Sequence, residues 1–129
     1  MGLEGVLLLD DDDDMLATVG ELVQLVTGRP CVTAHSLAEL VTKREATLAC
    51  TDAVIDINLG PAQPSGLDVH AWLKKEHYAG RIIFLTGHAY SHPLVARARA
   101  LDGVEVYQKP LETDELCRIL GMPPEGVQP

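Results

Sequence analysis

Apolar residues in this chain fall into short continuous runs, separated by longer stretches with helical spacing. Val6-Leu7-Leu8-Leu9 is the first run, and it stops abruptly at aspartates, as a strand buried on both faces does. Met15, Val19, Leu22 and Val26, flanked by Leu16 and Val23, then recur at helical spacing and predict a broad inward stripe. Gly28-Arg29-Pro30 ends that helix. Cys31 to Ala34 reads as a second strand, and Ser36-Leu37-Ala38-Glu39 as a capping box opening a helix whose apolar face is Leu37, Leu40 and Val41. Ala53-Val54-Ile55 is a third strand ending at Asp56, followed by a loop over 57–65 that holds Gly60, Pro61 and Pro64. A third helix runs from Gly66 to His77 with Val69, Trp72 and Leu73 inward, and Gly80 breaks it. Arg81 to Leu85 is the fourth strand, ending at Thr86. Ser91 is placed to cap a fourth helix, with Pro93 in its first turn, that buries Leu94, Val95, Ala98 and Leu101. Val104 to Gln108 is the fifth strand, ending at Lys109-Pro110, and Glu112 to Leu120 is the last helix. Residues 121–129, rich in Pro and Gly, read as a disordered tail or linker stub after a single domain over 1–120.

Five strand–helix alternations with buried strands imply an α/β fold: a parallel sheet covered by helices on both faces. In such sheets the functional site lies beyond the carboxyl ends of the strands. Strand one brings Asp10 and Asp11 there, strand three Asp56, strand four Thr86 and strand five Lys109. Three carboxylates at close range repel, by roughly 1 kcal/mol per pair in water and several times that near a protein surface. A hard divalent cation relieves the repulsion, and Mg²⁺ takes one or two carboxylates together with waters and phosphate oxygens. Lys109 supplies a point charge for phosphoryl oxygens, Thr86 a hydroxyl donor, and a carboxylate is an accepted covalent nucleophile. The set therefore reads as a Mg²⁺ site with room for a phosphoryl group.

Taken singly, each of these residues has an ordinary reading. Asp56 alone is a turn aspartate, Lys109 a surface lysine and Thr86 a strand end. Asp12, Asp13 and Asp14 sit in the first turn of a helix and complement its dipole. The five histidines read as surface positions, with His88 and His92 at the rim of the site.

Net charge changes the picture on one point. With 19 acidic against 10 basic residues, −9 overall, the chain lacks the basic footprint of a nucleic-acid binder or of a protein drawn to anionic membranes. Three scattered cysteines, Cys31, Cys50 and Cys117, and no signal-peptide pattern point to reduced thiols and a cytoplasmic protein.

Four segments, each closing a predicted strand, carry a resemblance: Val6 to Asp12, Asp52 to Leu59, Phe84 to Ala89, and Gln108 to Leu111. Over roughly residues 5 to 120 the chain resembles the receiver domain of the bacterial two-component response-regulator family. The resemblance implies a flavodoxin-like, doubly wound five-stranded sheet of order 2-1-3-4-5 with five helices. It also implies roles. Asp56 resembles the phosphoacceptor, Asp11 the direct Mg²⁺ ligand and Asp10 its companion acting through water, and the Asn58 carbonyl a further ligand. Thr86 resembles the switch hydroxyl, Gly87 the small residue that leaves phosphoryl access open, and Lys109 the phosphoryl-binding lysine. Lys109-Pro110 matches a cis peptide, with Pro110 as the cis-proline. The implied partners are a histidine kinase or histidine phosphotransfer protein as donor and a downstream protein target, with no direct nucleic-acid or membrane partner.

The chain departs from the family pattern at three places. The loop Leu59 to Gly66 is two residues longer than usual, with Gly60 where a proline often stands. Val106 occupies the position of the switch aromatic, with Tyr107 beside it on the opposite face of the strand, which puts the usual threonine–aromatic coupling in question. His88 and Asn58 occupy positions that tune dephosphorylation in this family.

Three functions compete. The first is a phosphoacceptor switch that is not an enzyme beyond its own phosphotransfer and autodephosphorylation. The second is a binding module on the same fold that works without phosphate. The third is an aspartyl-phosphate phosphatase of the haloacid dehalogenase type, which needs Asp-x-Asp. Asp10 and Asp12 satisfy that spacing only because five aspartates in a row satisfy every short spacing, and Asn58 cannot serve as the acid–base partner of Asp56. The first reading uses all five convergent side chains.

Overall fold

A computed structural model describes residues 5–60, 63–89, 91–109 and 113–121. The strands are β1 (Val6–Leu9), β2 (Cys31–Ala34), β3 (Asp52–Asp56), β4 (Arg81–Thr86) and β5 (Val104–Gln108). The helices are α1 (Asp13–Thr27), α2 (Leu37–Thr42), α3 (Arg44–Leu48), α4 (Gly66–Lys75), α5 (Pro93–Arg99) and α6 (Thr113–Gly121). All strand pairings are parallel, in the order β2-β1-β3-β4-β5. The expected sheet order is therefore observed.

Strand alternation splits the core in two. Leu7, Leu9, Ala53, Ile55, Ile82 and Phe84 face one side, where Leu40, Val69, Leu73, Val95 and Ala98 of α2, α4 and α5 cover them. Val6, Leu8, Val54, Ile83 and Leu85 face the other, against Leu16, Val19 and Val23 of α1 and Leu116 and Leu120 of α6. Burial of both faces is why these strands read as unbroken apolar runs.

Five sequence expectations are corrected. The described residues form six helices, because the second predicted helix breaks at Lys43, whose φ of −111° and ψ of 31° lie outside the helical well. Val41, expected inward, is 48% exposed, and on α1 Val26 is 64% exposed, so the α1 stripe narrows to Leu16, Val19 and Val23. The Ser36 hydroxyl accepts from the Glu39 amide, but the Glu39 carboxylate accepts from the His35 amide instead of closing the box; a complete capping box forms at Ser65 and Asp68 of α4. Helix α5 is capped by His92, whose Nδ1 accepts from the Leu94 amide, and not by Ser91. Helix α4 ends at Lys75 rather than at His77, which lies in the left-handed region at φ 63°. The expected cis-proline, Pro110, and the tail over 122–129 lie outside the described residues.

At the edge of the sheet opposite the strand carboxyl ends, Asp52 anchors α6. Its Oδ2 lies 2.6 Å from Arg29 Nη2, and Arg29 and Arg81 donate to the Leu120 and Ile119 carbonyls at the end of α6. Arg29 is only 12% exposed at its side chain, so Arg29→Gln leaves a nearly buried carboxylate without its closest cation. The expected result is a loss of about 2 kcal/mol in urea unfolding, smaller than for a fully dry pair because Arg81 stays within reach.

Candidate functional site

The aspartate run is shaped by its own backbone. The Asp10 amide donates to the Ala34 carbonyl at 3.2 Å, which extends the β1–β2 ladder by one residue. Asp10 Oδ1 then accepts from the Asp12 amide at 3.0 Å, turning the chain, and Asp12 caps α1 by accepting from the Asp14 and Met15 amides. Asp13 and Asp14 fill the first helical turn, where carboxylates complement the dipole. Asp13 also pairs with His35, so His35 ties α1 to Glu39 of α2.

Asp10 and Asp56 end up 2% and 5% exposed, while Asp11 is open to solvent. Carboxylate oxygens of the three lie within 4.8 Å of one another. Lys109 Nζ sits against two of them, 3.0 Å from Asp10 Oδ2 and 3.2 Å from Asp56 Oδ2. Burial pushes the Asp56 carboxyl up to about 6, with Asp10 adding repulsion and Lys109 offsetting part of it. Burial alone would lower the Lys109 ammonium, but the attraction of Asp56 and Asp10 outweighs it and raises the ammonium above its ordinary value. An excess of negative charge in hard oxygen donors is what a Mg²⁺-type ion requires, and the donor set fits such an ion better than it fits zinc.

A cleft of about 540 Å³ opens over these groups, lined by Asp11, Asp56, Asn58, Gly60, Gly87, His88 and Lys109. A Cβ at Gly87 would meet no atom within 4 Å, so this wall of the cleft is open. Asn58 closes the loop after β3: its amide donates to Asp56 Oδ1 at 3.4 Å, and its Oδ1 accepts from the Gly60 amide at 3.0 Å. Gly60 has φ 110°, a conformation proline cannot adopt, which gives a physical reason for glycine at this position of the loop.

Of the residues singled out by sequence, the cleft gathers Asp11, Asp56, Asn58, Gly87, His88 and Lys109, with Asp10 beneath it on Lys109. Thr86 is fully buried at the end of β4, and its Oγ1 accepts from the His88 amide at 3.0 Å rather than lining the cleft. Val106 packs in the core beneath α4 and α5, whereas Tyr107 packs on the α1–α6 side and donates to Glu105 at 2.8 Å. Tyr107 is thus on the far side of the sheet from the Phe84–Thr86 face.

Sequence reading missed Gly66. A Cβ there would lie 2.7 Å from the Asp56 carbonyl oxygen and 2.9 Å from Ile57 Cα, so only glycine lets α4 start this close to the acceptor strand. Its only sequence signal is a glycine directly after a capping serine.

Comparison with known proteins agrees with this architecture. The response regulator receiver domain family matches residues 6–121. The response regulator protein TodT of Pseudomonas putida F1 is 29% identical over 111 residues, covering 86% of this chain and 47% of TodT. The chain thus spans about half the length of the curated relatives it matches. Among solved structures, a CheY-like receiver domain from Methanospirillum hungatei aligns with a TM-score of 0.74 at 21% identity, over 92% of this chain and 91% of its own. A receiver domain from Clostridium thermocellum aligns at 0.72 and 24%, over 89% of each chain. Both likenesses concern the fold. No helix among the described residues is long and apolar enough to cross a membrane.

Proposed function

The chain belongs to the response regulator receiver domain family, regulatory domains of two-component signalling rather than enzymes in their own right, and on that premise we propose that Asp56 is its phosphoacceptor. The observation that carries the reading is the bridging Lys109 ammonium: it neutralises Asp10 and Asp56 at once, with the Asp11 carboxylate alongside.

In the reaction, an Asp56 carboxylate oxygen attacks the phosphorus of a donor phosphohistidine. The new P–O bond forms as the P–N bond breaks, and the departing imidazole takes a proton from solvent. Phosphoryl transfer asks mainly for positioning and charge neutralisation. Lys109 shifts from Asp56 onto phosphoryl oxygens and keeps its charge in contact with Asp10. Asp10, Asp11, Asp56 and the Asn58 carbonyl would hold Mg²⁺, which would spread charge off the phosphoryl oxygens. Gly87 leaves the approach clear, and Asn58 and His88 at the mouth govern the entry of hydrolytic water. Thr86 exchanges its His88 amide partner for a phosphoryl oxygen, and that exchange shifts the surface a downstream protein reads. The donor is a histidine kinase or histidine phosphotransfer protein, and such a domain works in the cytoplasm of a bacterium.

Incubation with acetyl phosphate is expected to place one hydroxylamine-labile phosphoryl group on Asp56 when Mg²⁺ is present and none when it is chelated. Labelling that ignores Mg²⁺, or that maps elsewhere, defeats the proposal. A protein that neither binds Mg²⁺ nor takes the label would instead be a binding module that works without phosphate, the reading kept open by the missing aromatic at Val106.

Metal affinity also carries a pH signature. Asp56 must be ionised to act as a ligand, and its carboxyl is pushed up to about 6 in the metal-free protein. Mg²⁺ binding therefore weakens as pH falls through that value and levels off above it, so the apparent Kd is expected to rise about tenfold from pH 7 to pH 5. Calorimetric titration at the two values checks it.

A further inference from the structure

We propose that His92 is a positioning residue that couples the acceptor cleft to helix α5 through the ring of His88, an inference that rests on the phosphoacceptor reading of Asp56. A continuous set of contacts leads from the acceptor to that helix. Asn58 donates its amide to Asp56 Oδ1. Because Asn58 Oδ1 is taken by the Gly60 amide, its side-chain Nδ2 faces the other way and lies 3.2 Å from His88 Nε2. An amide nitrogen only donates, so His88 Nε2 accepts.

The His88 ring stacks on His92, with centroids 4.3 Å apart and planes inclined by 19°. His92 in turn begins α5: its Nδ1 accepts from the Leu94 amide at 3.1 Å and its carbonyl from the Ala96 amide at 2.9 Å. The backbone of His88 is pinned as well, its amide to Thr86 Oγ1 and its carbonyl to Gln108 Nε2 at 2.9 Å. His88 therefore stands where the Thr86 hydroxyl, the Asn58 loop and the start of α5 meet.

The need for such a link follows from the rest of the site. Val106, on the same face as Phe84, is a small aliphatic residue, and Tyr107 lies across the sheet, so neither provides an aromatic side chain that could follow Thr86. If Thr86 turns its hydroxyl to a phosphoryl group, the His88 amide loses its acceptor and the ring must move or lose its stack. Helix α5 has only seven residues, with Val95 and Ala98 buried, so a shift at its cap moves the helix as a unit rather than bending it. The imidazole pair takes the mechanical place of the missing aromatic, and its output is the position of α5.

Two substitutions separate the ring from the cap. His92→Asn keeps a side-chain acceptor for the Leu94 amide but removes the stacked ring, while His92→Phe keeps a ring and removes the acceptor. With Mg²⁺ and beryllofluoride added to the whole chain, the parent is expected to show amide shifts both around Asp56 and along residues 93–99. His92→Asn should show the shifts around Asp56 in full, with those of α5 reduced at least about threefold, and His92→Phe should restore them. The coupling is overturned if His92→Asn moves α5 as far as the parent does, or if His92→Phe loses the response to the same degree. A parent that shows no shift around Asp56 brings down the phosphoacceptor reading itself, a result distinct from loss of the α5 response alone.

Discussion

Asp56→Asn abolishes Mg²⁺-dependent phosphate labelling and, in the metal-free protein, raises stability at neutral pH. The first effect follows from removing the attacking oxygen: an amide oxygen is a poor nucleophile, and the other carboxylate that Lys109 pairs with, Asp10, is buried beneath it. The second follows from the folded-state proton affinity of Asp56. Its carboxyl is pushed from 3.8 to about 6 by burial and by Asp10, so the folded protein binds a proton more tightly than the unfolded chain does. The carboxyl's contribution to stability is therefore fully present below about pH 4 and is lost as pH rises to about 6. Asparagine carries no such penalty. At pH 7 the variant is expected to be more stable by about 2 kcal/mol, the open cleft screening part of a larger shift, and the difference should vanish near pH 4. Millimolar Mg²⁺ should reverse the order, because only the parent keeps the full ligand set and binding stabilises the folded state. Urea unfolding at pH 4 and 7, with and without Mg²⁺, reads all three points. Equal stability of the two proteins at pH 7 without metal would show that Asp56 is not strained by its surroundings.

Gly66→Ala is expected to cost about 3 kcal/mol and to weaken Mg²⁺ binding with it. The added methyl would sit 2.7 Å from the Asp56 carbonyl oxygen, 2.9 Å from Ile57 Cα and 3.1 Å from Ile55 Cγ2. Two of these atoms are backbone, at the last residue of the acceptor strand and the residue after it, so no rotamer change relieves the overlap. Either α4 lifts off, breaking the bond from the Gly66 amide to the Ile57 carbonyl at 2.8 Å, or Asp56 is displaced from Lys109. Gly87→Ala is the control: its methyl meets open space, and stability should stay within about 0.5 kcal/mol of the parent. An unchanged unfolding midpoint for Gly66→Ala would mean that α4 does not need this close approach.

Much of this was legible in the chain. Strand positions were readable because a strand buried on both faces must be apolar throughout, and each run of Val, Leu or Ile ended on a polar residue at the sheet edge. That periodicity also put Asp10, Asp11, Asp56, Thr86 and Lys109 at one edge, where Lys109 reaches both Asp10 and Asp56. Helix details were less legible. Val26 and Val41 have the right spacing to be core residues, yet lie just outside the sector the sheet covers. His92 could not be read as a cap, because capping by an imidazole depends on a backbone turn that no residue pattern announces.

What the amino-acid sequence alone determined is the alternation of elements and the side chains delivered to the strand ends, since both follow from local periodicity and the burial of each face. Tertiary structure decided what depends on how separate segments approach one another: the glycine that lets α4 touch the acceptor strand, the turning of Thr86 onto the His88 amide, and the stacking of two histidines at the mouth of the cleft. Those are distances of a few ångströms between residues distant in sequence or set by a loop path, and a pattern of apolar and polar positions carries no information about them.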